Sequence, residues 1–226
     1  EVSALTYVSK SLQEDSVISM ADKIAEEMAY AFAVKEDACL VDGDGTSTYG
    51  GIVGIRTKMI DGNHAGAIVD ATSGDDQFTE LLLADIVSMI APLAKFADRN
   101  AKWQISPYGW GAGILRLLAA AGGNAITDIT SGAPKQFMGY PVAVEPAMPG
   151  KSSTNYNDAI MFTFGDLGMA GTFGSRRGIT IEVDSSRRLE YRQLAIMGTE
   201  RFDIVVHDLG GASSNTSPLI GITGNT

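Results

Sequence analysis

Cysteine is almost absent: Cys39 is the single one, so no internal disulfide framework is possible, and the usage fits a reducing cytosol. Histidine is nearly as scarce. His64 and His207 stand alone, without H-x-x-x-H or C-x-x-C neighbours, which leaves a zinc site without support. No apolar run approaches the ~18 residues of a membrane-spanning helix. Basic residues are outnumbered, 17 against 27 acidic, for a formal charge of −10 over 226 residues. That balance repels phosphate and argues against a nucleic-acid scanner. Charged residues are 19% and hydrophobic residues 45%, a globular composition, long enough for one large or two modest domains. The chain opens at Glu1 on structured-looking sequence, with no basic start and apolar run of a signal peptide, so it reads as a piece of a longer polypeptide.

Loose alternation predicts a short strand over Ala4–Leu12. Gln13-Glu14-Asp15-Ser16 then supplies capping residues ahead of a long helical pattern. From Ser19 to Val41 there is no Gly or Pro and much Ala, so one unbroken helix of about 35 Å is expected. Asp42-Gly43-Asp44-Gly45 stops it. Thr46–Gly74 reads as turns with short strands. An apolar stripe from Phe78 to Leu93 predicts a second helix, Trp103–Pro107 a strand running into a turn, and about Gly109–Ala121 a third helix ended by Gly122-Gly123. The remainder reads as β: 139–144, 159–164, 179–183, 192–197 and 201–207. The stretch from Gly210, rich in Gly, Ser, Thr and Asn, is expected to be loosely held. Helices first and strands later, without strict βαβ alternation, give an α+β class.

The search for chemistry returns little. Counted from Asp42, an EF-hand loop would need Gly at its sixth place and Glu at its twelfth; the chain has Ser47 and Val53. Gly109, Gly111 and Gly113 miss the dinucleotide spacing and lack a Walker lysine. Cys39, among apolar helix residues, reads as a buried inert thiol. No G-x-S-x-G elbow occurs. Arg176-Arg177 and Arg187-Arg188 are too short for a nucleic-acid patch and suit salt bridges within a chain or across a subunit contact. No residue is assigned as catalytic, cofactor-binding or metal-ligating. A long helix, extended strands and Gly-rich loops without a site describe a protein whose surface is its function.

Several segments, in order, resemble the major capsid protein family of tailed bacteriophages. They are Glu14-Asp15-Ser16 before the long helix, Gly43-Asp44-Gly45-Thr46 after it, and Gly51-Ile52. Trp103 with Ser106-Pro107 and the leucine-bearing Ile114–Leu118 follow. Gly139-Tyr140-Pro141-Val142 with Met148-Pro149, Phe164-Gly165-Asp166-Leu167, Arg177-Gly178-Ile179 and Glu200-Arg201-Phe202-Asp203 complete the series. Each is weak alone; their order across residues 13–206 is not. The resemblance implies the Hong Kong phage-type capsid fold. Its long spine helix, about 19–41, would lie in a peripheral domain made of 1–74 and 176–210. An axial domain would occupy 75–175, with 211–226 a loosely ordered tail. It implies a structural, non-enzymatic subunit of an icosahedral tailed-phage or prophage head that self-assembles into hexamers and pentamers. A portal and a maturation protease are implied as partners, and the virion, assembled in the bacterial host cytoplasm, as its location. The family's N-terminal arm and E-loop, which would precede Ala4, have no counterpart here, and this 226-residue piece is therefore expected not to close shells by itself. The isopeptide cross-link of some members is not carried over: Arg192 stands at the asparagine position, and Thr199, with Glu200 adjacent, at the glutamate position. Two rivals are an encapsulin-like compartment shell and a small α+β enzyme. The first would need a cargo-docking groove, the second a convergent polar cluster in a pocket.

Overall fold

The computed structural model describes residues 1–15, 20–120, 135–151, 155–157, 159–212 and 216–225. The first strand, β1 (Val2–Ser9), ends earlier than its pattern suggested, because Lys10 turns into a short helix, α1 (Lys10–Asp15). The long helix α2 (Met20–Asp42) matches the Gly- and Pro-free window. Its buried residues Met28, Phe32, Cys39 and Val41 form a narrow stripe, so most of its circumference faces solvent.

The stop after α2 is a backbone crossing. A Cβ on Gly43 would lie 2.6 Å from the Cys39 carbonyl oxygen and 2.8 Å from the Gly54 nitrogen; one on Gly54 would lie 2.6 Å from the Gly43 nitrogen. Only glycine lets the two chains approach so closely. The Gly54 N–H donates to the Gly43 carbonyl at 2.8 Å. Helix α3 (Ile55–Met59) follows directly. Its Arg56 pairs with Asp42 and donates Nε–H to the Ile160 carbonyl at 3.1 Å.

Two sheets organise the rest. The three-stranded sheet has the order β1, β8 (Gln193–Val206), β7 (Gly171–Arg188), antiparallel throughout. The two strands expected at 192–197 and 201–207 are one, because continuous pairing with β1 from Gln193 to Glu200, and pairing with β7 on both sides of a register shift, carry the chain through Gly198. The six-stranded sheet has the order β2 (Ile68–Asp70), β9 (Leu219–Thr223), β6 (Ile160–Gly165), β3 (Lys102–Ile105), β5 (Tyr140–Val144), β4 (Gln136–Phe137). All six residues of β6 are buried, as its continuous apolar run requires of a central strand. Trp103 stacks on Phe164 at 4.1 Å and donates Nε1–H to the Phe137 carbonyl at 3.1 Å. Thr163 and Gln104, both buried, satisfy each other: Thr163 Oγ1 donates to Gln104 Oε1, and Gln104 Nε2 to the Gly165 carbonyl. The sheets meet where Val206 and Ala170, on the short helix α7 (Leu167–Ala170), join Ile160, Leu219, Ile55 and Met59 in one apolar cluster.

Three further expectations are corrected. The tail beyond Gly210 is not loose throughout. β9 is buried at every position and pairs with both β2 and β6, because Leu219-Ile220-Gly221-Ile222 supplies a strand's apolar run. The Phe78–Leu93 helix is reduced to α4 (Leu83–Ser88). The backbone past it bonds elsewhere: Ser217 N–H donates to the Pro92 carbonyl and Ala94 N–H to the Ser217 carbonyl. The third helix starts earlier than expected, at Pro107, with Ser106 Oγ capping the Gly109 N–H at 3.0 Å. It runs as α5 (Pro107–Gly109), a π-helical stretch (Trp110–Leu115) and α6 (Arg116–Ala120). Its expected stop at Gly122-Gly123 lies outside the described residues.

Candidate functional site: the assembly surfaces

Strand β7 is exposed from Thr172 to Arg188. Its sequence nonetheless alternates as a half-buried strand does: Ile179, Ile181 and Val183 against Thr180, Glu182 and Asp184. The register identifies the apolar face. Ile181 lies opposite Gly198 and Val183 opposite Ile196. Ile196 packs with Met28 and Phe32, and a Cβ on Gly198 would meet the Phe32 ring at 2.9 Å. The stripe therefore faces the same side as α2, but α2 covers β1 and β8 and leaves β7 bare. Ile181 is 41% and Val183 62% exposed.

Apolar exposure continues along the sheet. Phe173 and Val205 are exposed near its base, with Phe173 stacked on Phe202 at 5.9 Å. Leu189 and Tyr191 are exposed at the hairpin turn, where the Arg188 guanidinium sits 4.1 Å over the Tyr7 ring. A shallow groove of about 310 Å³ between β1 and α2 is floored by Ala4, Ile24, Met28 and Ala31. Large apolar side chains left exposed at several places on one small sheet fit a protein–protein contact.

Charge is segregated between these surfaces. Helix α2 carries six acidic and two basic residues; residues 171–192 carry five arginines and three acids. Arg177 donates to Thr199 Oγ1 at 2.8 Å, and Arg201 lies 3.4 Å from Glu1. So Arg177 and Arg188 are held within the chain, one by a hydroxyl and one by an aromatic ring.

The residues weighed for chemistry are dispersed. Asp42 is engaged by Arg56, and Asp44 accepts from the Thr46 N–H and hydroxyl, which lowers its pKa. Gly109, Gly111 and Gly113 lie within the helix rather than in a phosphate-cradling loop. His64 Nδ1 contacts Asp61 at 2.8 Å. Burial works to raise Asp61, but Lys58, the Asn63 N–H and His64 outweigh it and hold the carboxyl well below its usual range. His207 Nε2 contacts Thr172 Oγ1 at 2.9 Å. Cys39 is buried, and burial pushes its thiol up, against a smaller opposing pull from Lys35. Arg192 occupies a left-handed turn position, φ 50°, its N–H donating to the Leu189 carbonyl. Glu200 turns the other way from Thr199, to the α2 side. Among the described residues, no group of three or more His, Cys, Asp or Glu could hold a metal.

Sequence reasoning placed β7 as a strand but missed its bare face. The alternation at 179–184 was the available signal.

The sequence pattern of the Phage capsid family matches residues 1–210. No curated protein matches. Among solved structures, the capsid of an empty GTA particle superposes with a TM-score of 0.75 at 20% identity, covering 100% of this chain and 73% of that one. A structure from Mycobacterium phage Bobi gives 0.63 at 17%, covering 100% and 71%. The holo-SrpI encapsulin complex from Synechococcus elongatus PCC 7942 gives 0.59 at 12%, covering 98% and 72%. At these identities the likeness speaks for the fold.

Proposed function

The chain belongs to the phage capsid family, and we propose that copies of it join as hexamers and pentamers in an icosahedral tailed-phage or prophage head. It is a major capsid subunit, a structural protein. The observation that carries the assembly reading is the uncovered Ile179–Ile181–Val183 face beside α2. An antiparallel sheet with one apolar face needs that face covered, and among the described residues nothing covers it. A neighbouring copy supplies the cover, and one patch meeting a different patch on the next copy generates a ring where the rotation between copies closes. The acidic α2 and arginine-bearing hairpin fit such a head-to-tail contact by charge.

The same reading divides the chain into a peripheral part, 1–74 with 176–210, and an axial part, 75–175. The separate three-stranded and six-stranded sheets support the division, with β2 and β9 added to the second. A portal and a maturation protease are its further partners, and the host cytoplasm its place of assembly. The encapsulin rival shares the fold at a lower TM-score, and no observation favours it over the family match.

Sedimentation and electron microscopy of the full chain over a concentration series test the proposal. Association into capsomer-sized species, abolished by Ile181→Lys with Val183→Lys, is expected. A chain that stays monomeric at every concentration overturns it.

A further inference from the structure

Two carboxyl groups from different elements meet where α2 lies on the three-stranded sheet. Glu200 of β8 is 7% exposed, and its Oε2 is buried with no hydrogen-bond partner. Half-buried Glu36 is one turn beyond Phe32, which underlies Gly198, and one turn before Cys39, which clusters with Phe202 and Ile204, so the helix carries Glu36 past the strand at the level of Glu200. A buried carboxylate oxygen without a donor is costly, and among the described residues no other group donates to it. Lys35, the neighbouring cation on α2, lies over the Tyr49 ring at 4.7 Å. Asp37 and Cys39, also on α2, carry no positive charge. Arg177 and Arg201 alternate onto the opposite face of the sheet, where they lie near Glu1.

We propose that Glu36 keeps its proton and donates it to Glu200 Oε2, making a proton-dependent clamp between α2 and β8. When base removes that proton to solvent, two carboxylates face each other across the contact and the middle of α2 is pushed off the sheet. Supporting this, the Glu36 pKa is raised, by burial first, then by Glu200 and then by Asp37. The sign follows from that direction. A carboxyl raised in the folded state contributes fully below its unfolded pKa, and the contribution is lost as pH rises through the raised value. The clamp is thus closed in acid and opens toward alkali. It belongs to the fold itself and stands whether or not copies close into a shell.

Hydrogen exchange of the α2 amides, corrected for intrinsic rates, tests it on the full chain between pH 5 and 9. In the native chain, opening over residues 32–41 should rise several-fold from the acid to the alkaline end of the series. Glu36→Gln keeps a donor at every pH and should make the profile flat, with slower exchange at pH 9 than the native chain. Should that variant not fold, Glu200→Gln offers its own N–H to Glu36 and should flatten the profile equally. Asp75→Asn, in the six-stranded half, should leave the α2 profile unchanged. A native profile without pH dependence, or one that both glutamine variants retain, overturns the clamp.

Discussion

Strands β6 and β7 follow one another closely in the chain, separated by α7, yet β6 has no exposed residue and β7 no buried one. Composition alone does not separate them, since Ile179-Thr180-Ile181-Glu182-Val183 is as good a strand as Ile160-Met161-Phe162-Thr163-Phe164. Position does. β6 lies between β9 and β3, with Phe78, Met89 and Ile114 packed into the same core. β7 is an edge strand beyond the reach of α2. The six-stranded half completes its core within one chain. The three-stranded half leaves the β7 end of its apolar face open among the described residues.

The contrast can be broken at its strong end first. Trp103→Ala removes the ring that stacks on Phe164 and should cost about 3–5 kcal/mol, read as a lower denaturant midpoint. A loss under ~1 kcal/mol would mean that this half is not the self-sufficient one. Gly198→Leu comes next. Its side chain must displace Phe32, so about 1–3 kcal/mol is expected from overpacking, with faster exchange confined to α2. Global unfolding without that local signature would show the two halves to be a single unit.

A pH effect sharpens the comparison from inside the six-stranded half. Asp75 is raised by burial first, then by Asp85 and Glu80, against a lowering pull from Arg116. Asp85 already accepts from the Thr72 N–H and hydroxyl and the Leu82 N–H. The Asp75 contribution is present in acid and lost as pH rises through its raised pKa. Asp75→Asn should therefore flatten part of the pH dependence of thermal unfolding, and an unaltered slope would contradict this. The smallest effect on folding belongs to Ile181→Lys with Val183→Lys, expected within about 0.5 kcal/mol because both sites are exposed. Their effect on assembly should be large. If the pair unfolds the chain instead, the bare face is core and the contrast fails.

How much of this was legible varied with how local its cause was. Helix α2 was plain, since Ala-rich sequence free of Gly and Pro decides a helix within its own window. Strand β9 was hidden in Gly-, Ser- and Asn-rich surroundings; its burial is set by β2 and β6, roughly 150 and 60 residues earlier. The Phe78–Leu93 stripe misled because Pro92 and Ala94 bond to Ser217, a partner no local pattern reveals. The family motifs gave the fold, and the alternation at 179–184 gave a strand. That the strand would lie beyond α2, and that Glu36 would meet Glu200, depended on register across the sheet and was not readable from spacing.

The junction after α2 has a mechanical meaning. A long rod is only as stiff as its mounting, and a flexible loop at Asp42 would let α2 swivel. Instead the chain crosses itself at Gly43 and Gly54 in direct backbone contact, and Arg56 bolts the last residue of the rod to the carbonyl of Ile160 in the fully buried strand β6. Tension applied along α2 is delivered to β6 with no slack segment between them.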